Sequence, residues 1–166
     1  SGAAYCSVRW EQMTVGTHTV EFVPYPSGVA ASFTVRSWAS SRVGSALTIG
    51  TPVTAATTVG GQIAQYTFNG TAGQQLSVGI GSLTTSVADA QLQIVVLKPD
   101  GMPLSNATLT AAVASSTVFT HAMPVLPTSG PYTVRVQPNA GGTLGMTTTF
   151  NGQLVVAADA TLATNG

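Results

Sequence analysis

The feature that most constrains this chain is alternation with a period of two. Leu92, Ile94 and Val96 alternate with Gln91 and Gln93. Tyr132, Val134 and Val136 alternate with Thr133 and Arg135. Leu76, Val78 and Ile80 alternate with Ser77 and Gly79, and Tyr66 and Phe68 with Gln65 and Thr67. From His18 to Val23, His18, Val20 and Phe22 share one face and Thr19 and Glu21 the other. Successive side chains of a strand point to opposite faces, so each run predicts a strand with one oily and one polar side. Antiparallel sheets with one face in water carry this pattern. Helices are disfavoured: 18 Gly and 9 Pro leave few windows for three clean turns, and Thr and Val dominate the gaps. Asn69-Gly70, Lys98-Pro99-Asp100-Gly101 and Asn151-Gly152 read as turns, with breakers at Gly60-Gly61 and Gly141-Gly142. Asn69-Gly70 in particular reads as a hairpin turn. The expected fold is all-β: an antiparallel β-sandwich with jelly-roll or Greek-key-like connections. Leu92, Ile94, Val96, Tyr132, Val134 and Val136 are expected in its core.

One segment recurs. Gly16, Thr19, Val20, Pro24 and Gly28 reappear as Gly130, Thr133, Val134, Pro138 and Gly142, at a constant offset of 114. Over residues 1–38 against 115–152, eight of 38 positions are identical. This predicts a partial sandwich module over residues 1–40, the last strands of a repeat. A complete module follows over 41–152, and 153–166 form a C-terminal strand or linker.

Three stretches resemble known domains: GGQIAQYTFNGTAGQQLSVGI (60–80), IVVLKPDGMPL (94–104) and LPTSGPYTVRVQPNAGGTLGMTTTF (126–150). They resemble the β-sandwich repeats of large bacterial Rhs/YD-repeat-type surface and secreted proteins. They are also similar to bacterial pre-peptidase C-terminal domains, which are jelly-roll-like sandwiches. A turn from Phe68 to Gln74, the Lys-Pro-Asp-Gly turn and the strand from Gly130 to Pro138 carry the likeness. The resemblance implies a non-catalytic extracellular accessory module, often in tandem. For relatives of the pre-peptidase type it implies calcium or polysaccharide as ligands, although this sequence lacks clustered acidic residues.

Charge narrows the function. Only 6% of residues are charged, with five Lys and Arg against five Asp and Glu; ordinary domains carry roughly 25%. Arg9, Arg36, Arg42, Lys98 and Arg135 are scattered, which excludes a phosphate-binding surface and so a nucleic-acid partner. No apolar run approaches the roughly 20 residues of a membrane span, so membrane insertion is not expected. The opening Ser1-Gly2-Ala3-Ala4 suits a processed or joined N-terminus. Cys6 has no partner cysteine; it reads as a small apolar filler, or as the site of an intermolecular bridge.

The titratable side chains besides Lys and Arg are Glu11, Glu21, Asp89, Asp100, Asp159, His18 and His121. No motif pairs any two of them for acid–base chemistry, and no nucleophile elbow, phosphate loop or metal-ligand spacing occurs. No enzyme activity, cofactor or metal is expected. Asp100 reads as a turn residue accepting backbone N–H groups, and His18, aligned with Tyr132, as a ring at the core's edge. Tyr5, Trp10, Tyr25 and Trp38 concentrate aromatic surface in the first 40 residues. They are the candidate interface anchors or sugar platform. The function these observations predict is a structural module, extracellular or at the cell surface. Copies self-associate head to tail into a filament or array, because few charges guard exposed strand edges. The alternative is a carbohydrate-binding accessory module with a polysaccharide partner.

Overall fold

The predicted alternation becomes two sheets in a computed structural model, which describes residues 16–21, 32, 41–111, 114–115, 119–139 and 148–158. Ten strands are described: β1 (Arg42–Val43), β2 (Val53–Ala56), β3 (Ile63–Gly70), β4 (Leu76–Thr85), β5 (Ala90–Leu97), β6 (Pro103–Ala111), β7 (Ala114–Ser115), β8 (Phe119–Ala122), β9 (Gly130–Pro138) and β10 (Phe150–Ala158). The first sheet has the order β1-β3-β9-β5-β6. The second has the order β2-β10-β4-β7, with β8 also on β4. All pairings are antiparallel except β1 with β3. No helix occurs among the described residues. The chain crosses between sheets at every connection except β5–β6, a hairpin within one sheet, and β7–β8, whose strands both pair with β4. This is a β-sandwich.

The inner faces are the ones the alternation marks. Leu92, Ile94, Val96, Tyr132, Val134 and Val136 are fully buried, and pack in one cluster with Phe68, Val78, Ile80, Leu154 and Val156. Burying a large apolar side chain stabilises by roughly 1.5–3 kcal/mol, so the cluster dominates the fold's energetics. On β4 the phase changes midway: Leu76, Val78 and Ile80 face inward, then Leu83 and Thr85. Opposite this point the β10 register shifts between Asn151 and Gln153, and Ser82 has φ 50°. One extra residue on β4 inverts the facing of everything after it.

The resemblance-carrying motifs are structural joints. Gln74 closes the Phe68–Gln74 turn, accepting from the Thr71 N–H through Oε1 at 2.8 Å. Gly73 N–H donates to the Leu126 carbonyl (2.9 Å), and Leu126 N–H to the Gln74 carbonyl (2.9 Å), tying this turn to the loop before β9. Tyr132 stacks on Phe68 with ring centroids 5.5 Å apart, and its hydroxyl donates to the Thr128 carbonyl at 2.7 Å. A Cβ on Gly130 would stand 3.0 Å from Pro99 Cγ, so the Lys98–Gly101 turn packs directly on the start of β9. In that turn Asp100 accepts from the Met102 N–H (2.9 Å), the role its sequence context predicts.

Two turn readings are corrected. Asn69-Gly70 is the paired end of β3, opposite Pro131 and Gly130, and the chain then crosses to the other sheet. Asn151-Gly152 lies inside β10, opposite Ala56 and Ala55. Both glycines are there for space. A Cβ on Gly70 would strike Leu126 and Tyr132, and one on Gly152 would stand 3.2 Å from Leu83 Cδ1 and 3.3 Å from the Gly81 carbonyl. Close approach of a packed side chain gives glycine the same sequence signature as a turn.

At the N-terminal side, residues 16–21 belong to no strand and are exposed, Val20 at 45%. The expected core-edge position of His18 is therefore not found: His18 is exposed and lies outside any strand. Apart from Ser32, the rest of residues 1–40, and with it most of the partial module, lies outside the described residues. At the other end, the division at 152/153 falls within β10, which runs between β2 and β4 and sends Leu154 and Val156 into the core. The apolar run of residues 154–158 is thus used by its own sandwich.

Candidate interaction surface

The register of the first sheet assembles a polar face that no single strand reveals. The side chains opposite the core are Gln65 and Thr67 on β3, Thr133, Arg135 and Gln137 on β9, Gln91, Gln93 and Val95 on β5, and Asn106, Thr108 and Thr110 on β6. Pairing aligns them in rows. Gln65, Arg135, Val95 and Asn106 form one row, and Gln137, Gln93 and Thr108 the next. Within the rows, Arg135 Nε donates to Gln65 Oε1 (3.1 Å) and Gln137 Nε2 to Gln93 Oε1 (2.9 Å). Beyond them, Asn139 Nδ2 donates to Gln91 Oε1 (3.0 Å). Gln137 is only 9% exposed, and its Oε1 has no hydrogen-bond partner. Arg135 is the one charged side chain in this set.

Among the described residues, the outer face of the second sheet carries no charged side chain. It presents Thr54 and Ala56 from β2, Asn151, Gln153, Val155 and Ala157 from β10, Ser77, Gly79 and Thr84 from β4, and Thr120 and Ala122 from β8. These side chains are mostly small, and a Cβ on Gly79 would meet Val155 Cγ1 at 3.1 Å. Both outer faces are therefore nearly free of charge among the described residues, one rich in amides and one low-relief. Amides offer a donor and an acceptor side by side and are cheaper to desolvate than ions. Such surfaces suit contact with another uncharged surface: protein, or a hydroxyl-rich polymer.

No group of three or more His, Cys, Asp or Glu side chains comes together among the described residues. Asp100 is held below the usual carboxylate range, first by its hydrogen bond from Lys98 (2.9 Å) and then by the Met102 N–H; it is a turn residue. Burial pushes the Tyr66 hydroxyl above its usual value, and it donates to the Thr54 carbonyl at 3.0 Å. His121 faces inward from β8, opposite Val78, and its Nε2 is buried without a hydrogen-bond partner. Tyr5, Trp10, Tyr25 and Trp38, the sequence-based interface or sugar-platform candidates, lie outside the described residues. The amide rows could be found in sequence only as the polar halves of separate alternating runs; their alignment needs the register.

No family model matches the chain. No curated protein matches it. Solved structures similar to it include PliG of Aeromonas hydrophila, a periplasmic inhibitor of g-type lysozyme. That match has 17% identity and a TM-score of 0.44, and covers 71% of this chain and 99% of that one. The pre-peptidase C-terminal domain of a Bacillus anthracis collagenase is similar at 15% identity and a TM-score of 0.39, covering 74% of this chain and 99% of that one. A family two carbohydrate esterase from Cellvibrio japonicus is similar at 17% identity and a TM-score of 0.28, covering 65% of this chain and 33% of that one. A domain of the pre-peptidase type thus appears among these structures, whereas none of them is of the Rhs/YD-repeat type. At these scores the neighbours' activities do not transfer to this chain.

Proposed function

We propose that this sandwich is a non-enzymatic structural module of an exported bacterial protein, working outside the cell by association with its own copies. The observation that carries the reading is the scarcity of charge on both sheet faces, where Arg135 is the one charge among the outward positions named above. Charge on faces and edges keeps β-proteins apart; without it, contact between copies costs little desolvation and meets no repulsion. The sparse ions fit the same picture, since the chain carries only five positive and five negative side chains. Residues 1–40, with Tyr5, Trp10, Tyr25 and Trp38, supply aromatic anchors for a head-to-tail contact, which extends into a filament or array when its rotation does not close. Sedimentation of the full chain at high micromolar concentration tests this, together with electron micrographs. Concentration-dependent polymers that vanish on deleting residues 1–40 are expected; a monomeric full chain refutes it.

A second reading, a carbohydrate-binding accessory module, is favoured by the amide rows around Gln93 and Arg135. Their side-by-side donors and acceptors are the kinds of group that hydrogen-bond sugar hydroxyls. Titration with acidic, neutral and amino-sugar polymers checks it: tryptophan fluorescence or calorimetric heat should respond, and Gln93→Ala with Arg135→Ala should remove the response.

A further inference from the structure

The edges of the two sheets are not alike. On one side of the first sheet, residues 41–47 run parallel along β3, with Ile63 N–H donating to Ser41, Thr67 N–H to Ser45 and Leu47 N–H to Thr67. A Cβ on Gly44 would strike the Gln65 carbonyl, and φ there is 135°, so the run bends where a regular strand could not. In the second sheet the edge strands are short: β2 and β8 have four residues each and β7 has two. β6 is different. It has nine residues, Pro-Leu-Ser-Asn-Ala-Thr-Leu-Thr-Ala, with no charge, no glycine, and its one proline at the first position. Among the described residues nothing pairs with its outer side, and Asn106, Thr108 and Thr110 are exposed. Short edges, charges, internal prolines and bulges are the usual protections against strand pairing; β6 has none of the first three, and its one irregularity, at Leu104, lies where the strand begins.

We infer that β6 pairs antiparallel with β6 of a second copy about a two-fold axis at Ala107, joining the first sheets of two molecules into one continuous sheet. The inference rests on the proposed association between copies and names a contact separate from the one through residues 1–40. The partner follows from self-complementarity. Ala107 is the middle residue of β6, so an axis there pairs the regular stretch 105–109 with its own copy, clear of the irregularity at Leu104. Asn106 then faces Thr108, and Ser105 faces Leu109. Each pair joins residues on the same side of the sheet, because positions equally spaced about one residue share its parity. Ser105, Ala107 and Leu109 are the inward residues, opposite Val96, Ile94 and Leu92 of β5, so the two cores meet in phase across the seam. Outside, the Gln137–Gln93–Thr108 row continues onto the second copy's row of Asn106 and Val95. No pair across the axis places like charges together, a condition that a charged edge strand cannot meet with its own copy.

The test uses two full-length variants, Asn106→Lys with Thr108→Lys, and Asn106→Glu with Thr108→Glu. Both positions are exposed, and circular dichroism melts check that each variant folds like the parent. Each alone is expected to sediment as a smaller species, with the β6 contact weakened by about tenfold or more. Mixed in equal amounts they should restore the parent's size, because the two introduced lysines of one copy then face the two introduced glutamates of the other. Variants that associate as the parent does overturn the β6 contact while leaving association through residues 1–40 standing. Variants that dissociate but are not rescued by mixing overturn the antiparallel register. A parent chain that stays monomeric at high micromolar concentration overturns both the contact and the reading beneath it.

Discussion

Gly152 and Asp100 are two residues that a sequence reader assigns to turns, and only one of them is in a turn. Gly152 faces the interior from β10 because Leu83, displaced by the irregularity at Ser82, occupies the space a side chain would need. Gly152→Ala is expected to destabilise by about 1–3 kcal/mol through overpacking. The exposed neighbour should matter little, with Asn151→Ala within about 0.5 kcal/mol of the parent. Urea denaturation of the two variants reads the difference; comparable losses would mean the dipeptide works as a turn. Asp100 does sit in the β5–β6 turn, with its carboxyl held below the ordinary range by Lys98 and by the Met102 N–H. A depressed pKa means the folded turn favours the carboxylate. Its contribution is present above the ordinary carboxylate range and is lost as pH falls through the folded value. The Met102 amide resonance is therefore expected to hold steady near neutrality and move only below about pH 4, and to lose that movement in Asp100→Asn.

At the scale of elements, β9 organises the fold. It lies between β3 and β5, presents Tyr132, Val134 and Val136 to the core, and starts where two turns converge. The Tyr132 hydroxyl fixes the loop before it through the Thr128 carbonyl, while the ring stacks on Phe68. Tyr132→Phe keeps the stack and removes the hydrogen bond, so a loss of about 1 kcal/mol is expected. Ile94→Ala on the neighbouring β5 deletes fully buried volume at the centre of the sheet and should cost about 2–5 kcal/mol. Equilibrium unfolding of both variants checks that the core, and not the loop, carries most of the stability.

For the whole molecule the decisive property is scarcity of charge. A surface with so few ions has little electrostatic energy to screen, so association between copies should be nearly unchanged from about 0.1 M to about 1 M salt. Sedimentation across that range tests it, and dissociation by salt would place ion pairs at the contact. The scarcity also explains why the polar faces are built from amides and hydroxyls: alternation demands a polar residue at every second position, and here that demand is met without ions.

The sequence alone determined the local and periodic features. Alternation identified the inward residues of β3, β5, β9 and the first half of β4, because a strand's side-chain period is fixed by its backbone. It also placed Asp100 in its turn, since proline, aspartate and glycine in succession have few other conformations open to them. Tertiary structure decided what depends on a neighbour far along the chain. The roles of Gly70 and Gly152 are set by Leu126 and Leu83, and the alternating stretch at 16–21 is exposed and outside any strand. The amide rows exist only because β3, β9, β5 and β6 settle into one register, which brings Gln65 to Arg135 and Gln93 to Gln137 across 70 and 44 residues of chain. Sheet order is likewise non-local: which strand becomes an open edge is fixed by how two sheets close over one core, and that closure left β6 on the outside.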